Sequence, residues 1–305
     1  MSYANVVVGV DGSEHGRAAL RWAAREAALR GIELQVVHAY DWRVPGAIAQ
    51  AGAAFAEAMR EAAEEVVRLA VAEAREAAPD VQVRGMTVLG SPAAKLAAVA
   101  QPDTLTVVGN RGRGGFTSLL LGSVSQQVAT HAAGPVVVVR GRDEAAGRPV
   151  VVGVDASPGS EAALGLAFDV AATRRVPLVA VRAYALGGPG SGPAVASFDY
   201  RRAEEYRLVG EQVDPWREKY PDVPAEVMAA VGHPAQVLAD AAAAAQVVVV
   251  GTRGHGGVAS LLLGSVGLSL LHHAEAPVLI ARGDGEAVTR SAGAATPGPH
   301  APAPR

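Results

Sequence analysis

The sequence reads as two tandem α/β domains, each built on a doubly wound, five-stranded parallel sheet. Three features lead there: solid β-branched runs alternating with helical segments, a repeat of the whole pattern, and a glycine loop at the same place in each repeat. Strands that are apolar on both faces belong in parallel sheets covered by helices on either side. "VVVGVDGSEHGRAALRWA" from Val6 matches "VVVGVDASPGSEAALGLA" from Val150, pairing Asp11 with Asp155 at an offset of 144. "GNRGRGGFTSLLLGS" from Gly109 matches "GTRGHGGVASLLLGS" from Gly251 at an offset of 142, and Pro135 pairs with Pro277 at the same offset. The 305 residues suffice for two domains of ordinary size. The expected boundaries are 1–145 and 148–285. A Pro/Ala/Gly-rich tail over 286–305 is expected to be disordered, because it has too little apolar surface to offset its chain entropy.

Each element of the first repeat has a local reason. "NVVVGVD" is a short β-branched run closed by Asp-Gly-Ser, hence a buried strand. From Glu14 to Arg30, Ala18, Leu20, Ala24 and Ala28 recur at helical spacing, and Gly31 is placed to end the helix. "ELQVVHAY" is the second strand, and Ala53–Ala78 is a long Ala/Glu/Arg helix that stops before Pro79. "VQVRGMTVLG" is the third strand, followed by a helix with Ser91 at its cap and Pro92 in its first turn. "TLTVVGN" is the fourth strand, a helix is expected after Ser123, and "GPVVVVR" is the fifth strand. The layering is flavodoxin-like. The last strands, Val136–Arg140 and Val278–Arg282, would end at sheet edges, and an exposed apolar edge invites pairing. Antiparallel pairing of the two within one chain, giving an intramolecular pseudo-dimer, is therefore expected. A homodimer of whole chains stays open.

Composition narrows the chemistry. A formal net charge of −3 with no basic stripe gives no reason for a nucleic-acid partner. Cysteine is absent, which removes disulfides, thiolate metal sites and cysteine nucleophiles together. No window approaches the apolar length of a membrane span, and "MSYANVVVGVDGS" lacks the basic segment and apolar core of a secretion signal. The cytoplasm is the expected location. No histidine pattern has metal-ligand spacing, so no metal ligands are assigned.

The glycine loop carries the chemical signal. From Gly109 the pattern is G-x-x-G, nine residues, then Gly122-Ser123; from Gly251 it is G-x-x-G, nine residues, then Gly264-Ser265. Glycine at a strand end lets a backbone approach a ligand with no Cβ in the way. A helix opening at Gly122 would aim unpaired N–H groups and the positive end of its dipole into the crevice, and Ser123 adds a hydroxyl. Such an assembly suits a phosphate chain. The competing reading is that the glycines only make tight turns, but two copies with the same spacing favour the ligand. If the first and fourth strands flank the reversal of strand order, Asp11 and the loop share one crevice. Asp11 reads equally well as a helix N-cap. Arg111, Arg113 and Arg253 are either phosphate contacts or solvated charges, and His255 stands where the first repeat has Arg113.

G-x2-G-x9-G-S after an apolar strand, with V-G-V-D-[GA]-S opening the domain, resembles the universal stress protein family in its tandem form, up to about residue 285. The resemblance implies a fold of the adenine nucleotide alpha hydrolase-like kind and, in the ATP-binding branch, a role for each matched position. Asp11 and Asp155 would meet the adenine edge, Ala39 and Ala183 would meet the base through their backbone, and Val108 and Val250 would line the nucleoside pocket. Gly109, Gly112, Gly122, Ser123 and Val124, with their counterparts Gly251, Gly254, Gly264, Ser265 and Val266, would wrap ribose and phosphates. The first repeat continues with Ser125 where the second has Gly267, so the second site is expected to hold phosphate more weakly.

No catalytic residue is assigned. Phosphoryl transfer needs positioned cations, a held metal and an oriented nucleophile. The loops supply a backbone cradle and a serine, without a phosphate-loop lysine or an acidic metal cage. The expected ligand is ATP or ADP, with magnesium accompanying the triphosphate at most through its own oxygens, and with weak hydrolysis at most. The alternatives are a protein-interaction module with vestigial nucleotide sites and, against the glycine spacing, a flavin or dinucleotide enzyme. The segments Asp41–Gly52 and Ala185–Phe198 read as crevice covers or as plain connections.

Overall fold

The computed structural model describes residues 3–41, 52–113, 120–141, 147–155, 157–185, 196–252 and 263–282. The expected tail, most of both segments after the second strands, and Gly254 with Arg253 and His255 lie outside them. The first repeat runs β1 (Asn5–Gly9), α1 (Glu14–Arg30), β2 (Glu33–Tyr40), α2 (Gly52–Ala77), β3 (Val83–Leu89), α3 (Pro92–Val99), β4 (Thr104–Gly109), α4 (Ser123–His131) and β5 (Val136–Val139). The second runs β6 (Val150–Gly153), α5 (Pro158–Arg174), β7 (Leu178–Tyr184), α6 (Ala196–Lys219), β8 (Ala225–Val231), α7 (Pro234–Ala242), β9 (Val247–Gly251), α8 (Ser265–His273) and β10 (Val278–Ala281).

The strands form one sheet in the order β3-β2-β1-β4-β5-β10-β9-β6-β7-β8. Within each repeat neighbours are parallel. Where the repeats meet, β5 and β10 pair antiparallel, Val138 with Val278 and Val137 with Leu279. Each sheet therefore spends its apolar edge on the other. Period-two alternation along β1 sends Val6 and Val8 to the layer under α1, α2, α5 and α6, and Val7 to the layer under α3, α4, α7 and α8. Leu20, Leu34 and Leu105 are fully buried in the first layer, each contributing about 1.5–3 kcal/mol over exposure. Among the described residues no helix is long and apolar enough to cross a membrane.

Helix ends mostly follow the local signals. Ser13 caps α1 by accepting from the Gly16 N–H, and Ser157 caps α5 through the Ser160 N–H. Gly31 closes α1 at φ 63°, left-handed backbone that a Cβ disfavours. At the same place in the second repeat stands Arg175, the one non-glycine residue at positive φ among the described residues, with φ 54°. Ser91 departs from expectation: it precedes α3 without a side-chain cap bond, and Pro92 alone marks the start.

A buried ionic cluster joins the repeats across α1 and α5. Glu26, fully buried, accepts from Arg30 Nε at 2.7 Å, from Arg174 Nη2 at 2.5 Å and from the Tyr3 hydroxyl. Arg30 also reaches Asp169 at 2.7 Å, and Arg174 donates to Gln246 at 2.8 Å. Arg30 and Arg174 occupy equivalent repeat positions, and each pairs with a carboxylate of the other repeat. Burial alone would raise the Glu26 pKa; Arg174 and Arg30 outweigh it and hold it below the ordinary carboxylate range.

Candidate functional site

The chain leaves β1 towards β2 on one side and later returns to β4 on the other, so strand order reverses between β1 and β4, and likewise between β6 and β9. Ligands in open α/β sheets bind beyond the carboxyl ends of strands at such a reversal. β1 and β4 run in register there, Val8 beside Val107, as do β6 and β9, Val152 beside Val249. Asp11 and Asp155 therefore lie just past the first strand of each repeat, next to the glycine loops that leave Gly109 and Gly251. The strand reversal with an aspartate just past its first strand is present twice.

The first glycine of each loop answers a packing demand. A Cβ on Gly109 would lie 2.5 Å from the His15 carbonyl oxygen, and one on Gly251 would lie 2.5 Å from that of Gly159. The opening turn of α1 or α5 thus sits directly on the strand end, and what excludes a side chain there is the protein's own backbone. The sequence reading offered ligand approach or a tight turn as the reason for these glycines; helix backbone is the reason the packing gives. At Gly112 a Cβ would lie 2.5 Å from Asp11 Oδ2, and the Arg113 N–H donates to that oxygen at 2.7 Å. Asp11 Oδ1 accepts from the Ser13 N–H and hydroxyl at 3.0 and 2.6 Å. Asp11 therefore links the loop to the cap of α1 and is not itself the N-cap. Asp155 Oδ1 does similar work, accepting from the Ser157 N–H and from the Ser157 and Ser160 hydroxyls at 3.1, 2.5 and 2.5 Å.

Each loop closes by a backbone bond, Gly122 N–H to Asn110 O at 2.7 Å and Gly264 N–H to Thr252 O at 2.6 Å. Gly122 and Gly264 then occupy the N-cap positions of α4 and α8, with extended backbone and no side-chain cap bond. The opening N–H groups of Ser123 and Val124, and of Ser265 and Val266, consequently stand at the crevice without the side-chain cap that α1 and α5 receive. Ser123 and Ser265 are exposed, while Val124 and Val266 pack half-buried on the apolar layer. Val108 and Val250 are 3% and 4% exposed, with their side chains packed in the apolar layer under α3, α4, α7 and α8. Ala39 is buried at the end of β2, and Ala183 is half-buried at the end of β7.

The role of Ser125 and the place of His15 escaped the sequence. The Ser125 hydroxyl donates to Gly109 O at 2.6 Å and is buried, so it steadies the loop from beneath. Its replacement by Gly267 removes a brace and not a phosphate donor, which corrects the stated reason for a weaker second site. His15 stands beside the loop of the first repeat only, since Gly159 takes its place in the second. Burial and the Arg111 guanidinium lower the His15 pKa against the pull of Asp11 and Glu14. No spacing rule selects His15; the weak signal was its place in the turn after Asp-Gly-Ser. Among the described residues no three His, Asp or Glu side chains converge as metal ligands. Among the described residues, grooves open between α2 and β3 and between α5 and α6.

Fold and site together define a tandem doubly wound α/β protein with one glycine-loop crevice per repeat, and the comparisons with known proteins give that class its family. The family model described as the universal stress protein family matches residues 2–140 and again 147–282. A universal stress protein of Mycolicibacterium smegmatis is 36% identical over 289 residues, covering 91% of this chain and 96% of its own. One of Mycobacterium tuberculosis is 36% identical over 288 residues with the same coverage. The crystal structure of a universal stress protein from Archaeoglobus fulgidus superposes with a TM-score of 0.68 at 21% identity, over 91% of this chain and 96% of that one, which speaks to the fold. The chain belongs to the universal stress protein family, as a tandem of two of its domains.

Proposed function

We propose that this chain is an ATP- or ADP-binding regulatory module of the stress response, with one nucleotide in each crevice and slow hydrolysis at most. The observation that carries the reading is the pair of helices α4 and α8. Each opens at the reversal of strand order, directly after a glycine loop, with no side-chain cap, whereas α1 and α5 carry serine caps. Backbone N–H groups and a dipole aimed at a crevice suit a phosphate chain.

The donor set fits the nucleotide. Ser123 and Val124, with Ser265 and Val266, would present N–H groups to phosphate, with the serine hydroxyls beside them. Asp11 and Asp155 are acceptors whose carboxylates lie past β1 and β6; for Asp11, one bond to an exocyclic amine is within its capacity beside the three it accepts. Magnesium would travel with the triphosphate. Among the described residues none supplies a phosphate-loop lysine or an acidic cage there, and neither loop sequence contains lysine or a carboxylate, so bound ATP would hydrolyse slowly. The cytoplasm, where ATP is abundant, is the location this reading requires.

A second reading, a protein-interaction module with vestigial sites, draws on the bond from Arg113 N–H to Asp11, by which the first loop already engages the carboxylate assigned to adenine. Denaturing freshly purified protein and identifying the released small molecule by mass and ultraviolet spectrum separates the readings. ATP or ADP is expected. A chain that yields nothing and takes up no added ATP supports the second reading, and FMN or NAD would overturn both.

A further inference from the structure

The last strand of each repeat is followed by an arginine, and both arginines cross the repeat boundary. Arg140, after β5, donates from Nη1 to Leu271 O and, at 3.2 Å, to Leu270 O near the end of α8. Arg282, after β10, donates from Nη2 to Ala129 O in the last turn of α4 at 2.6 Å and from Nε to Gly134 O, just past that helix, at 3.1 Å. They occupy the same repeat position and make the same kind of contact in opposite directions. The carbonyls of a helix's last turn have no partner within the helix, and a cation there complements the negative end of its dipole. These guanidiniums are therefore C-terminal caps lent by one repeat to the other.

The capped helices are α4 and α8, whose opposite ends face the crevices. Each is nine residues long, about 13 Å from end to end. The strands that carry the arginines are equally well placed. Val139 pairs with Gly109, the first residue of the first loop, and accepts the Asn110 N–H at 3.0 Å; Arg140 is the next residue. Ala281 pairs with Gly251, the first residue of the second loop; Arg282 is the next residue. The path from one glycine loop to the helix of the other crevice is thus one strand pairing and one arginine, and it exists in both directions. The Arg111 guanidinium of the first loop and the His272 ring of α8 are charged or titratable neighbours of Arg140, so an anion held at Arg111 would relieve repulsion on the arginine that caps α8.

We propose that Arg140 and Arg282 are positioning residues that couple the two crevices, each tying the glycine loop of one repeat to the ligand-facing helix of the other, so that an anion seated in one crevice tightens the second. This rests on the nucleotide reading for its ligand, and the anchoring is testable without it. Hydrogen exchange on the ligand-free chain provides that test. Arg282→Met should speed exchange in α4 by about threefold and leave α8 unchanged, and Arg140→Met should do the reverse. Calorimetric titration with ATP then reads the coupling: the second nucleotide should bind about two- to fivefold tighter than the first in the unsubstituted chain. That difference should vanish in either Met variant and largely return with Arg140→Lys or Arg282→Lys, which keep the charge. Far-ultraviolet circular dichroism verifies that each variant is folded. Exchange that changes in the arginine's own repeat, or in neither helix, overturns the proposal, as does two-site binding equally cooperative with and without the arginines. Crossed exchange with no ATP uptake overturns the nucleotide reading and leaves the arginine link between the helices standing.

Discussion

Gly109 and Gly251 stand where helix backbone touches strand end. Gly109→Ala places a methyl 2.5 Å from a carbonyl oxygen that cannot rotate away, so α1 must shift; a loss of about 1–3 kcal/mol is expected in urea unfolding, and an unchanged midpoint would show that the contact yields freely. Arg175 is the converse case. It holds left-handed backbone at φ 54° where the first repeat uses Gly31, so Arg175→Gly should stabilise the chain by about 0.5–1 kcal/mol, seen as a higher melting temperature. The glycine skeleton and the aspartates were legible because their spacing recurs in both repeats. What Asp11 does was not: its choice between cap, loop anchor and ligand depends on where Ser13 and Arg113 come to rest. The role of Ser125 was misread and His15 was missed for the same reason, since a hydroxyl's direction and a ring's neighbours are set by tertiary packing.

At the scale of elements, the contrast between capped and uncapped helices organises the molecule. α1 and α5 begin on serines that satisfy their first turn, whereas α4 and α8 begin on glycines that do not. Gly122→Asp gives α4 a cap and sets a carboxylate where phosphate is proposed to bind. The nearest neighbour of its new Cβ would be the Arg111 Cα at 3.4 Å, so the substitution fits. The expected result is an unchanged or slightly raised melting temperature together with ATP affinity at least about tenfold lower; undiminished affinity would remove α4 from the site. Strand and helix existence was readable in order because buried parallel strands appear as unbroken β-branched runs. Ser91 shows the limit: a residue of the right type at the right place makes no cap bond, and Pro92 starts the helix without it.

Across the whole molecule the two sheets become one through β5 and β10, and the Glu26 cluster seals α1 to α5. The strand pairing was foreseeable, since an apolar edge needs a partner. The buried ionic cluster was not, because only the folded pair of helices brings Arg30 to Asp169 and Arg174 to Glu26. Its carboxylate titrates lower in the folded chain than in the unfolded one, for which the ordinary value is about 4.3. The stability it contributes is therefore complete above that value and lost as pH falls through the lower, folded pKa. Glu26→Gln should destabilise the chain at pH 7 by about 3–5 kcal/mol, because the buried Arg174 guanidinium loses its counter-charge and Arg30 is left with Asp169 alone. The gap to the unsubstituted protein should narrow in melting curves taken at progressively lower pH below 4; a gap constant with pH would mean that the cluster holds by packing alone.

The repeated crevice, with its glycine loop and uncapped helix, is on this account a nucleotide cradle in both copies. Because the Ser125 hydroxyl braces the Gly109 carbonyl, its replacement by Gly267 leaves the second cradle's phosphate-facing groups in place. Titration calorimetry of ATP into nucleotide-free protein should accordingly saturate near two nucleotides per chain, and the absence of any saturable heat would contradict the account.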